Sequence, residues 1–145
     1  MTVYRITLAE FSGHLYASGR PARWNSKGTF VIYSASSRAL ACLENLVHRG
    51  GEGLDLLYRT MVIYIPDNIE MDEITRDELP LKWQAYKGQL QTRRLGDEWA
   101  RSSAVLKVPS AIIPEENNYL INPGHLDFPL IQLDGVEKFM FDQRL

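Results

Sequence analysis

The sequence has few of the features that mark secreted and membrane proteins. Its 145 residues include one cysteine, Cys42, so no disulfide can form within the chain, as is usual in a reducing cytoplasm. No apolar run approaches the ~20 residues of a membrane-spanning helix. The start of the chain includes Thr2, Arg5 and Glu10 and has no apolar signal-peptide core. We therefore expect a cytoplasmic protein that does not associate with membranes.

An excess of positive charge is also missing. The formal net charge is −2 and the sequence pI is about 5.9, whereas nucleic-acid-binding domains usually carry a basic patch or stripe. The longest basic pair, Arg93-Arg94, stands beside Asp97 and Glu98. Direct binding of nucleic acid by this chain is therefore not expected.

Familiar nucleotide-binding and catalytic motifs are absent. The chain contains no Walker loop, no G-x-G-x-x-G and no G-x-S-x-G elbow. His14, His48 and His125 are scattered and, with the single cysteine, lack the spacing of zinc ligands, so we reject a structural zinc site. The composition is 45% hydrophobic and 23% charged, which predicts one globular domain over residues 1–145.

Local patterns predict the first half of the fold. A helix is predicted from a cap at Ser36 or Ser37 to Arg49, because apolar residues recur at helical spacing and Gly50-Gly51 can end it. Alternating and β-branched residues predict three strands, at 2–7, 29–34 and 56–65. Residues 67–80 are expected to form a partly ordered connection.

The second half of the chain is richer in strands. Residues 83–88 are predicted as a short irregular or helical piece and residues 91–103 as a helix. Asp134-Gly135 predicts a hairpin between the last two of five candidate strands, at 104–108, 111–113, 119–121, 130–133 and 136–141. This order favours an α+β fold with a mostly antiparallel sheet.

An arginine-rich loop is the first candidate site. Residues 20–28 combine Arg20, Arg23 and Lys27 with Gly28. The planar guanidinium matches phosphate oxygens, and glycine lets a backbone approach a ligand closely. On composition alone, a solvated surface loop is the better interpretation.

Glu44 is the second candidate, because it lies at the edge of the apolar face of the first predicted helix. Such a carboxylate is seldom left unpaired. It can form a structural ion pair with an arginine, or it can be an active-site carboxylate with a raised pKa. The residues alone favour the ion pair.

The remaining candidates also have two interpretations each. Ser110 follows a predicted strand and is a turn residue or hydrogen-bond donor rather than a nucleophile. Tyr33 either packs with its hydroxyl in water or stacks on a flat ligand ring. Asn118 and Asn122 either fix turns or line a polar pocket.

Taken in order, these pieces resemble the RES-domain family, which is named for a shared arginine, glutamate and serine. The resemblance covers nearly the whole chain except residues 67–80. It rests on Tyr4-Arg5-Ile6 and on five further stretches, residues 20–28, 31–33, 39–44, 96–99 and 108–111, together with residues 118–123. It implies an α+β fold like that of ADP-ribosyltransferase toxins.

The resemblance also implies a function. Such domains are toxins of type II toxin–antitoxin pairs, held by an Xre-like antitoxin in a hetero-oligomeric complex, and NAD⁺ is their substrate, with no further cofactor. They cleave NAD⁺ by hydrolysis or phosphorolysis. By position, the resemblance assigns catalytic roles to Arg23, Glu44 and Ser110, and substrate-binding roles to Tyr33, Arg5, Arg20, Asn118 and Asn122.

These residue types suit that chemistry. Glu44 would stabilise the oxocarbenium-like transition state and orient a ribose hydroxyl or the attacking water. Arg23, with Arg5, would hold the diphosphate. Tyr33 would stack on nicotinamide, and Ser110 would donate a hydrogen bond to it. Two alternatives stay open: an ADP-ribosyltransferase that modifies a protein, and a non-catalytic module that binds a nucleotide through the arginine-rich loop.

Overall fold

The protein is described by a computed structural model, which covers residues 1–85 and 89–145. Two α-helices occur in the described residues, α1 (Arg38–Arg49) and α2 (Gln89–Trp99). The same residues form seven strands: β1 (Thr2–Leu8), β2 (Ile32–Ala35), β3 (Tyr58–Tyr64), β4 (Met71–Glu73), β5 (Val105–Pro109), β6 (Asn117–Ile121) and β7 (Gln132–Phe139).

All seven strands belong to one sheet, in the order β4-β5-β6-β2-β1-β3-β7. Every neighbouring pair is antiparallel except β4 and β5, which are parallel. The predicted α+β class with a mostly antiparallel sheet is therefore confirmed. Within the described residues, neither helix is long and apolar enough to cross a membrane.

The sheet is nearly divided between β1 and β2. Strand β1 pairs with β3 along its whole length, from Thr2 opposite Tyr64 to Leu8 opposite Tyr58. In contrast, β1 meets β2 at a single pair, Tyr4 opposite Ala35. Two half-sheets, β4-β5-β6-β2 and β1-β3-β7, thus meet at a narrow seam.

Helix α1 begins and ends where its local signals predict. The Ser37 side chain accepts a hydrogen bond from the backbone N–H of Leu40 at 3.1 Å, and Gly50 ends the helix with a φ of 61°. Leu40 and Ala41 are buried against the sheet, in a cluster that includes Ile6. Because residues four apart share a helix face, Glu44 lies on the same side as Leu40, next to the sheet.

Helix α2 packs on the same face of the sheet, over a second cluster that contains Trp24, Leu106 and Leu120. It begins at Gln89 and ends at Trp99, so its predicted end at residue 103 is too late. The residues after it are held by turn hydrogen bonds, such as that from Ser102 N to Trp99 O at 2.8 Å. These turns lead the chain directly into β5.

Two other predicted elements are wrong. Residues 111–113 are not a strand, because the backbone N–H groups of Ile112 and Ile113 turn back to donate to the Ser110 hydroxyl. The predicted Asp134-Gly135 hairpin lies inside the single strand β7. Asp134 is the extra residue of a register shift against β3, so the Asp-Gly pair forms a bulge instead of a turn.

The other differences are smaller. The strand predicted at 29–34 begins only at Ile32, and residues 67–80 contain β4 and a 3-10 helix at Arg76–Glu78. In the piece predicted at 83–88, residues 83 and 84 form a turn. Residues 86–88 of that piece lie outside the described residues.

Candidate active site

Glu44 is held by two side chains that are distant in sequence. Its Oε1 atom accepts a hydrogen bond from Ser110 Oγ at 2.8 Å and another from Asn118 Nδ2 at 2.6 Å. Helix α1 supplies the carboxylate, the residue after β5 supplies the serine, and β6 supplies the asparagine. Among the described residues, no group donates to Oε2. One carboxylate oxygen is therefore fixed, and the other is available to a ligand.

Ser110 uses all of its hydrogen-bonding capacity within the protein. The side chain is fully buried, and Oγ accepts from the backbone N–H groups of Ile112 and Ile113, both at 3.1 Å. With two donors already on Oγ, its single proton points to Glu44. A hydrogen bond from Ser110 to nicotinamide would require this bond to break.

Asn118 leaves one acceptor unused beside the carboxylate. Its Oδ1 atom is buried and accepts no hydrogen bond from any described residue. A buried acceptor without a partner costs about 1–3 kcal/mol. Rotating the Asn118 side chain to give Oδ1 a partner would break the hydrogen bond from Nδ2 to Glu44.

Arg23 is a half-buried cation that is oriented but not neutralised. Its guanidinium donates to the carbonyls of Trp83 at 2.8 Å and Gln84 at 3.1 Å. Burial lowers the pKa of Arg23, and the charge of Glu44 and the Tyr33 hydroxyl oppose that shift. Within the described part of the chain, no carboxylate comes within 4.0 Å of Arg23, so its positive charge remains available to an anion.

Arg5 is half-buried at the seam between the half-sheets. Its Nη1 atom donates to the carbonyl of Tyr33 at 3.3 Å. Burial lowers the pKa of Arg5, and the neighbouring Tyr33 opposes the shift. No carboxylate of residues 1–85 or 89–145 lies within 4.0 Å of it. A cation that is withdrawn from water in part, as here, is stabilised when an anion joins it.

Tyr33 connects the arginine-rich loop to β2. Its hydroxyl donates to Asn25 Oδ1 at 2.5 Å and accepts from the backbone N–H of Trp24 at 3.1 Å. Burial raises the pKa of Tyr33 well above its usual value, so the hydroxyl stays protonated. This anchoring leaves the ring, but not the hydroxyl, for the predicted stacking role.

Asn25 was not among the candidate residues predicted from the sequence. It is 1% exposed, and its Nδ2 donates to the carbonyls of Arg20 at 2.8 Å and Thr29 at 2.9 Å. The buried amide of Asn25 thus connects the two ends of the loop through hydrogen bonds. Asparagine commonly bonds to nearby backbone in turns, but that signal does not reveal that its oxygen also binds Tyr33.

Arg20 and Asn122 are not brought to the carboxylate. The exposed Arg20 side chain makes no hydrogen bond to a described residue. Asn122 is buried, and its amide donates to Ala100 O at 2.7 Å and accepts from Gly124 N at 3.0 Å. It therefore fixes the turn after β6. Asn122 also lines a cavity of about 360 Å³ whose lining does not include Glu44.

A profile of the RES domain matches residues 2–142. The chain belongs to the RES domain family. The family predicted from the sequence is thereby confirmed, and the RES domain resembles the ADP-ribosyltransferase fold, as that prediction implied.

Several curated relatives are similar over most of their length. The Prs ADP-ribosylating toxin of Sphingobium sp. (strain YBL2) is 42% identical over 127 residues, which cover 85% of this chain and 79% of that protein. Toxin Res of Photorhabdus laumondii is 38% identical over 135 residues, covering 88% and 85%. Toxin Res of Yersinia enterocolitica is 36% identical over 154 aligned positions, covering 100% and 99%.

Proposed function

We propose that this chain is a toxin that consumes NAD⁺ by cleaving the bond between nicotinamide and ribose. The observation that carries the proposal is the carboxylate of Glu44, which has one oxygen fixed by Ser110 and Asn118 and the other without a donor among the described residues. The names of the relatives support a toxin that uses NAD⁺. The proposed reaction is hydrolysis or phosphorolysis.

One carboxylate is sufficient for this reaction. The C1′–N bond breaks, and its electron pair returns to the pyridinium ring, so nicotinamide leaves as a neutral molecule without an acid. The ribose carries the positive charge of an oxocarbenium-like transition state. Water or phosphate then forms the new bond to C1′, and with water one proton is released. Glu44 Oε2 would face this developing charge and orient a ribose hydroxyl or the water.

The two arginines would bind the diphosphate. Arg5 and Arg23 both lack a carboxylate partner among the described residues, and planar guanidinium groups match phosphate oxygens well. Their hydrogen bonds to backbone carbonyls orient them without cancelling their charge. Binding an anionic substrate would therefore offset part of the cost of burying them.

The other site residues would act around these groups. Ser110 and Asn118 would position Glu44, and the ring of Tyr33 would stack on nicotinamide. As the family resemblance implies, we propose an Xre-like antitoxin as the partner, in a hetero-oligomeric complex in the cytoplasm. NAD⁺ is the substrate in this proposal, and no additional cofactor is required.

A second candidate function keeps the same site and changes the acceptor. The relative that is 42% identical is named as an ADP-ribosylating toxin, which favours transfer of ADP-ribose to a protein. The carboxylate would then orient a protein nucleophile in place of water. Both functions release nicotinamide, so the fate of ADP-ribose separates them.

The experiment is controlled expression of the chain with measurement of cellular NAD⁺. The matched variants are Glu44→Gln, which removes the charge at the site, and Glu52→Gln, which changes an exposed glutamate elsewhere. We expect NAD⁺ to fall with the parent and Glu52→Gln but to hold with Glu44→Gln. NAD⁺ labelled in adenine then shows soluble label for hydrolysis and protein-bound label for transfer. Unchanged NAD⁺ with no growth arrest would favour the binding module instead.

A further inference from the structure

Side chains of helix α2 form hydrogen bonds with the backbone of the arginine-rich loop. Thr92 Oγ1 donates to the carbonyl of Arg23 at 2.6 Å, and Arg93 Nε donates to the carbonyl of Ala22 at 2.7 Å. One helical turn later, the Asp97 carboxylate accepts from the backbone N–H of Ser26 at 2.9 Å. Residues 92, 93, 96 and 97 share a helix face because they are spaced by one turn.

Gly96 lies at the centre of this face and in contact with the loop backbone. A Cβ atom added to Gly96 would stand 1.7 Å from the carbonyl oxygen of Trp24 and 2.7 Å from its carbonyl carbon. The obstacle is backbone, which cannot rotate away as a flexible side chain can. Any side chain at residue 96 would therefore push the loop off the helix.

The same loop carries Arg23, a residue of the candidate active site. Arg23 directs its guanidinium to the carbonyls of Trp83 and Gln84 and interacts electrostatically with Glu44. Its own carbonyl is bound by Thr92. The same residue is therefore held through its backbone by α2 and presented to the site through its side chain.

We propose that Thr92, Gly96 and Asp97 form a clamp that positions Arg23 for substrate. The inference rests on the proposed function for its effect on turnover. It assigns a positioning role in the reaction to the Thr92 and Asp97 side chains and to the close approach of the loop that Gly96 allows, since none of these residues contacts Glu44. Misplacing a binding group by about 1 Å can cost about a hundredfold in rate, so the clamp is a means of controlling activity at a distance.

The test uses Thr92→Val, which keeps the shape and removes the hydroxyl, and Thr92→Ser, which restores it. Residue-resolved amide exchange of the folded chain is measured first. We expect Thr92→Val to speed amide exchange at Trp24 and Ser26 by about three- to tenfold, the effect of one hydrogen bond. Amide exchange in β3 should not change. Thr92→Ser should return exchange to near the parent rate. Unchanged exchange in Thr92→Val would overturn the clamp.

Turnover is measured as kcat/KM for nicotinamide release from NAD⁺. We expect Thr92→Val to lower it at least threefold in the parent and to have no further effect in Arg23→Ala, because interacting residues are not additive. A full additional loss in Arg23→Ala would overturn the link to Arg23. If the parent does not consume NAD⁺, the proposed function fails, and the exchange comparison alone decides whether the clamp exists.

Gly96→Ala is the stronger perturbation and has a matched control in Gly13→Ala. An added Cβ at Gly13 has no atom within 4 Å, so this variant should behave like the parent. We expect Gly96→Ala to expose the buried Trp24 to acrylamide quenching and to lower kcat/KM by tenfold or more. A folded Gly96→Ala protein with normal quenching and normal turnover would contradict the proposal.

Discussion

Replacing Ser110 with alanine separates two possible roles of this residue. The change removes the donor to Glu44 Oε1 and the acceptor of two backbone N–H groups, those of Ile112 and Ile113. A hydrogen bond to a charged group contributes about 1.5–3 kcal/mol, and a buried donor left without a partner costs about 1–3 kcal/mol. Ile112 and Ile113 are only half-buried, so water can bond to the freed N–H groups and reduce their cost. We therefore expect a loss of stability of about 2–4 kcal/mol, or about 5–15 °C in Tm.

The loss of activity expected for Ser110→Ala is smaller than the loss that removal of a nucleophile would cause. Asn118 still holds Glu44 Oε1 after the change, so Ser110→Ala should lower kcat for nicotinamide release by about tenfold and leave KM nearly unchanged. The assays are thermal denaturation and nicotinamide release, with Ser36→Ala as control because Ser36 is exposed. A stable Ser110→Ala protein that is as inactive as Glu44→Gln would refute this reasoning, since it would make Ser110 a direct participant.

Asn118, Arg5 and Asp97 each allow a further test. Asn118→Asp replaces the amide that donates to Glu44 with a second carboxylate, so stability in thermal denaturation should fall by about 1.5–3 kcal/mol, the contribution of a hydrogen bond to a charged group; an unchanged Tm would show that this contact does not stabilise the fold. Arg5→Met removes a half-buried cation that has no carboxylate partner among the described residues, so stability in urea should stay equal or rise while KM for NAD⁺ rises about tenfold or more; a lower stability with unchanged KM would show that Arg5 is structural. Burial raises the pKa of Asp97, but hydrogen bonds from Ser26 and Thr29 and the charge of Arg101 outweigh it and lower the pKa below its ordinary 3.8. Ionised Asp97 thus stabilises the fold above that pH, and the contribution disappears as pH falls through the folded pKa, so Asp97→Asn should lose less stability on acidification than the parent does.

The parts of the fold that depend on local signals were predictable. Helix α1 begins after Ser37 and ends before Gly50, because a capping side chain and a left-handed glycine act within a few residues. Asp134-Gly135 misled for the opposite reason. A turn dipeptide predicts a hairpin only where the chain needs to reverse, and here the long pairing of β7 with β3 decides the path.

The candidate site was predictable by residue but not by arrangement. The family resemblance singled out Glu44, Ser110 and Asn118, and the structure brings these three together. Nothing local indicates that the serine proton would point to the glutamate, because 66 residues separate the two positions. Asn122 shows the converse, since an asparagine in a matching stretch bonds to neighbouring backbone instead of the carboxylate.

The separation of these partners along the chain also orders events during synthesis. Ribosomes add about 5–20 residues per second, and the amino-terminal part of a chain is exposed first. A growing chain that has reached α1 contains Glu44, but its two hydrogen-bond donors have not yet been made. The carboxylate gains its fixed orientation only when β5 and β6 have joined β2, which requires synthesis through Ile121. A cell that makes this protein therefore meets the assembled site only after β6 has been made, when α1 and strands β1 to β3 are already available for a partner to bind.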